Sequence, residues 1–170
     1  METSRFRKYL IVAILVAGAF LAGKKFFFYV PASLPDPFLI EPMHDISLVP
    51  TVYIGETKIL VLIAEGSAAL EKGLSGKPSL DAHAGMLFVF PKADTYQFWM
   101  PNMPFPIDII WIQDGKVVGV EADVSNIFNP KNPRFYTPPE PVQYVLEVNA
   151  GFAKANHVSM GDAVRFKNIK

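Results

Sequence analysis

Two carboxylates stand in runs that are otherwise apolar. Asp108 interrupts Pro106-Ile107-Asp108-Ile109-Ile110-Trp111, and Glu147 interrupts Tyr144-Val145-Leu146-Glu147-Val148-Asn149. Burying a carboxylate without a partner costs on the order of several kcal/mol, so each must be solvated, hydrogen-bonded or protonated. Two acids aimed into one cleft can divide the work of general acid and base, as in glycan hydrolysis, where the carboxyl groups stand within about 10 Å of each other. The two-residue period of a strand puts Asp108 on the face of Ile110 and Ile112, and Glu147 on the face of Val145 and Asn149. The expected binding site is a polar pocket that both acids enter, with Trp99, Met100 and Asn102 beside it. The plainer alternative bonds Asp108 to nearby backbone at a strand entry and turns Glu147 to solvent.

Other chemistries find little support. With no cysteine there is neither a thiol nucleophile, a disulfide nor a zinc–thiolate site. His44, His83 and His157 are too far apart to show a metal-ligand spacing, so no metal is expected. Gly73-Leu74-Ser75-Gly76-Lys77 has the spacing of neither a nucleophile elbow nor a phosphate loop and reads as a helix stop. No cofactor is implied, and whether the chain is an enzyme stays open. The 170 residues sum to zero charge, but Arg5, Arg7, Lys8, Lys24 and Lys25 against Glu2 give residues 1–30 a charge of +4, which leaves −4 for the remainder. A mildly acidic remainder without a basic stripe argues against a nucleic-acid partner.

The stretch 85–115 must position the candidate residues, and it holds both tryptophans, Trp99 and Trp111. Extended runs are predicted at 86–90, 96–100 and 107–113, closed by an Asp114-Gly115 hairpin turn. Between them, Pro101-Asn102-Met103-Pro104-Phe105-Pro106 has three residues without a backbone donor and must be a stiff connector, suited to a pocket rim. Upstream, Val52 and Ile54 pair across Gly55-Glu56-Thr57 with a strand carrying Ile59, Val61 and Ile63, in which Leu60 and Leu62 also predict a central position. Ser67 is the expected cap of a helix over 68–74. Downstream come a strand over 116–124, a proline-rich loop over 125–141, a strand over 142–148, a short helix over 150–156 capped by Asn149, and a last strand over 163–167. These elements predict an α+β domain at 51–170: a small, mostly antiparallel, β-barrel-like or strongly curled sheet with two short helices.

Ahead of that domain lies a membrane segment. Arg5, Arg7 and Lys8 precede the apolar run 10–22, so residues 1–30 read as a signal anchor or a signal peptide, an N-terminal membrane helix in the first case. Ala17-Gly18-Ala19 offers a small-residue cleavage site, while the apolar character that continues through 26–30 favours retention as an anchor. Residues 31–50, with prolines at 31, 35, 37, 42 and 50, read as a linker, in which His44 is a solvated loop residue.

The series GLSGKPSL, GMLFVF, FWMPNMPFPIDIIWI, GKVVGVE, YVLEVNAG and GDAVRF, in this order, resembles domain of unknown function 192, a group also described as an uncharacterised membrane protein family. The resemblance covers about residues 59–166. It implies an N-terminal signal or anchor and one small domain with a β-barrel-like core, and it brings no activity, substrate or cofactor. The shared motif positions are Trp99, Met100, Asn102, Pro106, Asp108, Glu147, Gly151, Gly161 and Asp162. This chain departs from the pattern with Lys72 and Lys77 where arginines are usual and with Pro101 where a lysine is common, which removes a cation from the rim. The function expected is a membrane-tethered extracytoplasmic domain, attached through its N-terminal segment, that binds a small molecule or envelope partner. The alternatives are an envelope glycan or peptide hydrolase using Asp108 and Glu147, and an assembly module whose apolar rim packs on another protein.

Overall fold

The computed structural model of the chain describes residues 48–169. The expected membrane helix and nearly all of the linker lie outside the described residues. Seven strands, β1 (Thr51–Ile54), β2 (Thr57–Ala64), β3 (Ala84–Asp94), β4 (Ile107–Gln113), β5 (Lys116–Val124), β6 (Val142–Asn149) and β7 (Val164–Lys167), form one sheet in the order β5-β4-β6-β3-β2-β1-β7. Two short helices, α1 (Ser67–Lys72) and α2 (Phe152–Ala155), complete it.

Every strand pairing is antiparallel except β2 with β3, where α1 carries the chain across and makes the sheet mixed. Sheet twist brings the two ends of the strand order together at one corner. There Lys116 bridges Ala163, the Val117 N–H donates to the Asp162 carbonyl at 2.9 Å, and Gly161 returns a bond to Val117 at 2.8 Å. The result is a half-barrel with a filled inner face and an outer face covered over β3, β4 and β6.

Alternation sorts the side chains into two cores. The inner one gathers Val52, Ile59, Val61, Leu87, Ile110, Ile112, Leu146 and Val148, and α2 inserts Phe152 and Ala153 into it. The outer one takes the opposite positions of β3, β4 and β6, with Phe88, Phe90, Ile109, Trp111 and Val145, and is roofed by Leu74, Met100, Met103 and Tyr136 from the connections. Because β3, β4 and β6 are buried on both faces, they read in sequence as unbroken apolar runs.

Several expectations change. Residues 96–100 are not a strand: β3 runs on to Asp94, and the segment meets another only at the Phe98–Tyr136 bridge, where prolines on either side leave no ladder to extend. Ser67 is the first residue of α1, whose N-cap is Gly66 with no side-chain cap bond. β2 is internal as expected, yet Leu60 (41% exposed) and Leu62 (46%) lie on a face that the described residues cover only in part. Asn149 belongs to β6 and does not cap α2; that helix begins after Gly151, at φ 80°, a left-handed conformation that glycine adopts without strain.

Candidate functional site

The register fixes where the two carboxylates go. Asp108 on β4 stands opposite Val148 of β6, and Ile109 stands opposite Glu147. Residues directly across from each other share a face, so Asp108 points to the inner core and Glu147 to the outer one. The expected shared pocket is therefore corrected: a β-sheet separates the acids, and no cleft admits both. The acid and base pair built on them goes with it.

Asp108 is fully buried and fully occupied. Its Oδ1 accepts from the backbone N–H of Asp123 at 2.8 Å and of Gly151 at 3.1 Å, and its Oδ2 accepts from the Ala153 N–H at 2.8 Å. It thus satisfies two donors at the start of α2 and one on β5, the work a local cap would otherwise do. This is the plainer role foreseen for it, performed across 45 residues of sequence.

Glu147 has the opposite environment. It is 6% exposed, between Met86 of β3 and Ile109 of β4 in the sheet, and no hydrogen bond from any described residue reaches its carboxyl group. It is not turned to solvent, as the alternative reading had it. Burial alone pushes its pKa from an ordinary 4.5 up to about 8, so at neutral pH it is chiefly a neutral acid. Its side chain lines a cavity of about 210 Å³.

The walls of that cavity come from three places. β3 supplies Phe88 and Phe90. The segment after it supplies Tyr96, Gln97, Phe98, Trp99, Pro101 and Met103, and the end of α1 with its following turn supplies residues 70–75. Aromatic packing sets the second wall: Phe90 and Tyr96 stack at 3.6 Å between centroids, and Phe98 meets Phe88 and Trp111 edge-on at 5.1 and 5.4 Å. Two hydrogen bonds fasten it to the turn after α1, from Ser75 Oγ to the Pro101 carbonyl and from the Gly76 N–H to the Asn102 carbonyl, both 3.2 Å. Trp99 is 51% exposed at the lip, stacked on Phe135 at 5.9 Å with Phe128 edge-on at 5.6 Å.

Of the five residues expected to converge, Trp99 and Glu147 line this cavity. Met100 is buried in the outer core, Asn102 contributes a backbone carbonyl from a left-handed conformation (φ 56°), and Asp108 is beyond the sheet. Sequence reasoning missed Phe88, Phe90, Tyr96 and Phe98 as walls, since a strand aromatic over a cavity has the same pattern as one in a core. The contribution of residues 70–75 had no signal beyond a helix stop. Among the described residues, no group of three or more histidine, aspartate or glutamate side chains could hold a metal ion, and no helix is long and apolar enough to cross a membrane.

Comparison with known proteins adds family and fold. The family model DUF192, described as "Uncharacterized ACR", matches residues 51–166. A solved structure of a protein of unknown function from Novosphingobium aromaticivorans is similar, with 30% identity, TM-score 0.61, and coverage of 69% of this chain and 83% of that one. So is a protein of Sinorhizobium meliloti put forward as a transcription regulator, with 27% identity, TM-score 0.62, and coverage of 71% and 93%. No curated protein matches.

Proposed function

The chain belongs to this uncharacterised family, and from that premise we propose that its domain is a binding module whose ligand enters the cavity over Glu147. One observation carries the reading: a glutamate only 6% exposed, whose carboxyl group has no protein partner among the described residues, opens on a cavity lined by five aromatic residues. A buried polar group left unmatched costs roughly 1–3 kcal/mol, and a ligand that matches it recovers that cost on binding. Binding without chemistry is favoured because the cavity offers no activated nucleophile. The hydroxyl of Ser75, its one alcohol of aliphatic type, is donated to the Pro101 carbonyl. Glu71 and Lys72 lie exposed at the mouth.

We further propose that residues 1–30 hold the domain at the extracytoplasmic face of a membrane, on the strength of the basic-then-apolar order of that segment. A nucleic-acid partner, which the description of the Sinorhizobium protein would suggest, is disfavoured by the charge of −4 that follows residue 30.

A fragment screen on the full chain by ligand-observed NMR tests the cavity. Fragments should bind and be lost on Glu147→Leu and on Trp99→Ala; a screen whose every hit survives both substitutions refutes the reading. Membrane fractionation followed by protease treatment of intact cells tests the tether, and recovery of the whole chain from the cytosol would refute it.

A further inference from the structure

We propose that the occupant of the Glu147 cavity is a small organic cation of the alkylammonium class, with its ammonium on the carboxylate and beside the aromatic rings that line the cavity. The inference rests on the reading of the domain as a binding module and names the ligand chemistry for that same cavity. Three features agree on it. The Glu147 carboxyl group receives no hydrogen bond from a described residue, so its oxygens are free to accept from a multiple N–H donor. The walls present Phe88, Phe90, Tyr96, Phe98 and Trp99, and aromatic faces attract cations by their quadrupole. The volume of about 210 Å³ accommodates an amine on a few carbons.

Once Glu147 is ionised, its charge and the surrounding rings act together on a cation. An anion would be attracted by Lys72 at the exposed mouth and repelled by the Glu147 carboxylate above about pH 8. A neutral acceptor could take a proton-mediated bond from the Glu147 acid but would turn its own partial negative charge to the rings. The groups around Glu147 leave it the one ionisable side chain at the cavity floor among the described residues. β3 and β4 bring only Met86, Phe88, Phe90 and Ile109, Tyr96 donates its hydroxyl to the Lys92 carbonyl at 2.9 Å, and the exposed Gln97, Glu71 and Lys72 line the cavity away from the strands.

Proton balance then makes the cation recognisable. The free acid gives up its O–H proton to solvent as the ammonium arrives, and the product is a carboxylate–ammonium pair that keeps all three ammonium protons. With the acid's pKa raised to about 8 by burial, cation affinity should increase about tenfold per pH unit up to that value and level off above it. A neutral acceptor needs the protonated acid, so its affinity would be flat below pH 8 and fall above.

Calorimetric titration of the full chain decides between them, using n-butylammonium, n-butanol and butyrate from pH 6 to 9 in two buffers of different ionisation enthalpy. The expected result is binding of n-butylammonium alone, with close to one proton released per ligand at pH 6 and affinity about fiftyfold higher at pH 8. Glu147→Gln should weaken it at least tenfold at pH 8 and abolish proton release. Trp99→Ala, at an exposed site, should weaken it while leaving proton release intact, and serves if the first variant does not fold. An Nα-acetyl-lysine amide arm separates a free amine from a lysine side chain: binding as tight as n-butylammonium assigns the peptide source, and exclusion assigns the free amine. Butanol binding as tightly as the amine, or amine affinity that does not change with pH, overturns the assignment. If none of these ligands binds while fragments still depend on Glu147, the cation falls and the cavity stands; if no fragment depends on Glu147, both fall.

Discussion

Glu147→Gln should make the free protein more stable at neutral pH, and the gain should grow with pH. The folded chain holds a proton on Glu147 up to about pH 8, while the unfolded chain releases it near 4.5. Between those values the folded state binds one proton more, so stability falls as pH rises, and outside them the group contributes no slope. Each pH unit is worth ~1.4 kcal/mol, so the roughly 3.5-unit interval amounts to ~5 kcal/mol, of which ~3 kcal/mol has accrued at pH 7. Glutamine keeps the shape and the neutral polarity and has no proton to lose. Wild type and variant should then be alike within ~1 kcal/mol near pH 4, with the variant ahead by ~3 kcal/mol at pH 7. Urea unfolding of the two proteins at pH 4, 5, 6, 7 and 8, followed by tryptophan fluorescence, reads the difference directly, and other titrating groups cancel in it. A difference that stays flat across that range, or a variant less stable at pH 7, would refute the account of Glu147 as an unmatched, desolvated acid.

Three further outcomes follow from the same coordinates. Asp108→Ala strips three backbone donors of their acceptor, of which the Ala153 N–H is buried and the other two part-buried, and at ~1–3 kcal/mol for the buried one predicts a loss of at least ~1–3 kcal/mol in urea unfolding; a loss under ~1 kcal/mol would contradict the cross-sheet cap. Amide exchange at Gly151 and Ala153 should accelerate with it. In Gly85→Ala the new Cβ would come within 2.7 Å of the Glu147 carbonyl oxygen and 3.0 Å of Leu146 Cδ1, so the variant should lose about 3 kcal/mol, the upper end of overpacking, and wild-type stability would disprove the close β3–β6 approach. Trp99→Ala, at the exposed lip, should cost under ~1 kcal/mol by the same measurement, so its effect on ligand binding can be read without a folding defect.

How far the fold could be read in advance depended on how local each determinant is. The Gly55 and Asp114-Gly115 hairpins were legible because turn chemistry and flanking alternation sit within a few residues, and β1, β2, β4 and β5 formed around them. The parallel pairing of β2 with β3 was not, since it depends on where α1 deposits the chain. The run 96–100 has strand composition, yet its neighbours on the sheet are already taken by β4 and β6, and it becomes a wall over the outer face instead. Capping misled for the same reason: Asn149 has the right type and place for α2, but its Nδ2 donates to the carbonyls of Leu80 and Asp81, both at 3.1 Å, and the cap comes from Asp108 on another strand. The two acids were recognisable as anomalies; their separation was not, because face follows from register and register is set between strands.

That separation also decides what each acid means. Asp108 and Glu147 are diagonal neighbours on adjacent strands, both almost without solvent, and composition or burial alone would treat them alike. The difference is in the donors. Three backbone N–H groups converge on Asp108, so its charge is matched inside the fold, and removing it would damage the fold. None of the described donors turns to Glu147, so its cost in the free protein is compensated by nothing the domain itself supplies. A leucine there would continue the apolar pattern of Met86, Ile109 and Val145 and would relieve that cost. Among the described residues Glu147 is the buried carboxylate of the outer face, and its side chain lines a cavity with a stiff aromatic lip. A group that destabilises the empty domain and is aimed at a cavity makes sense physically when something from outside completes its hydrogen bonds. The cavity over Glu147, and no longer the pair of acids, is therefore the feature of this domain on which binding experiments should bear.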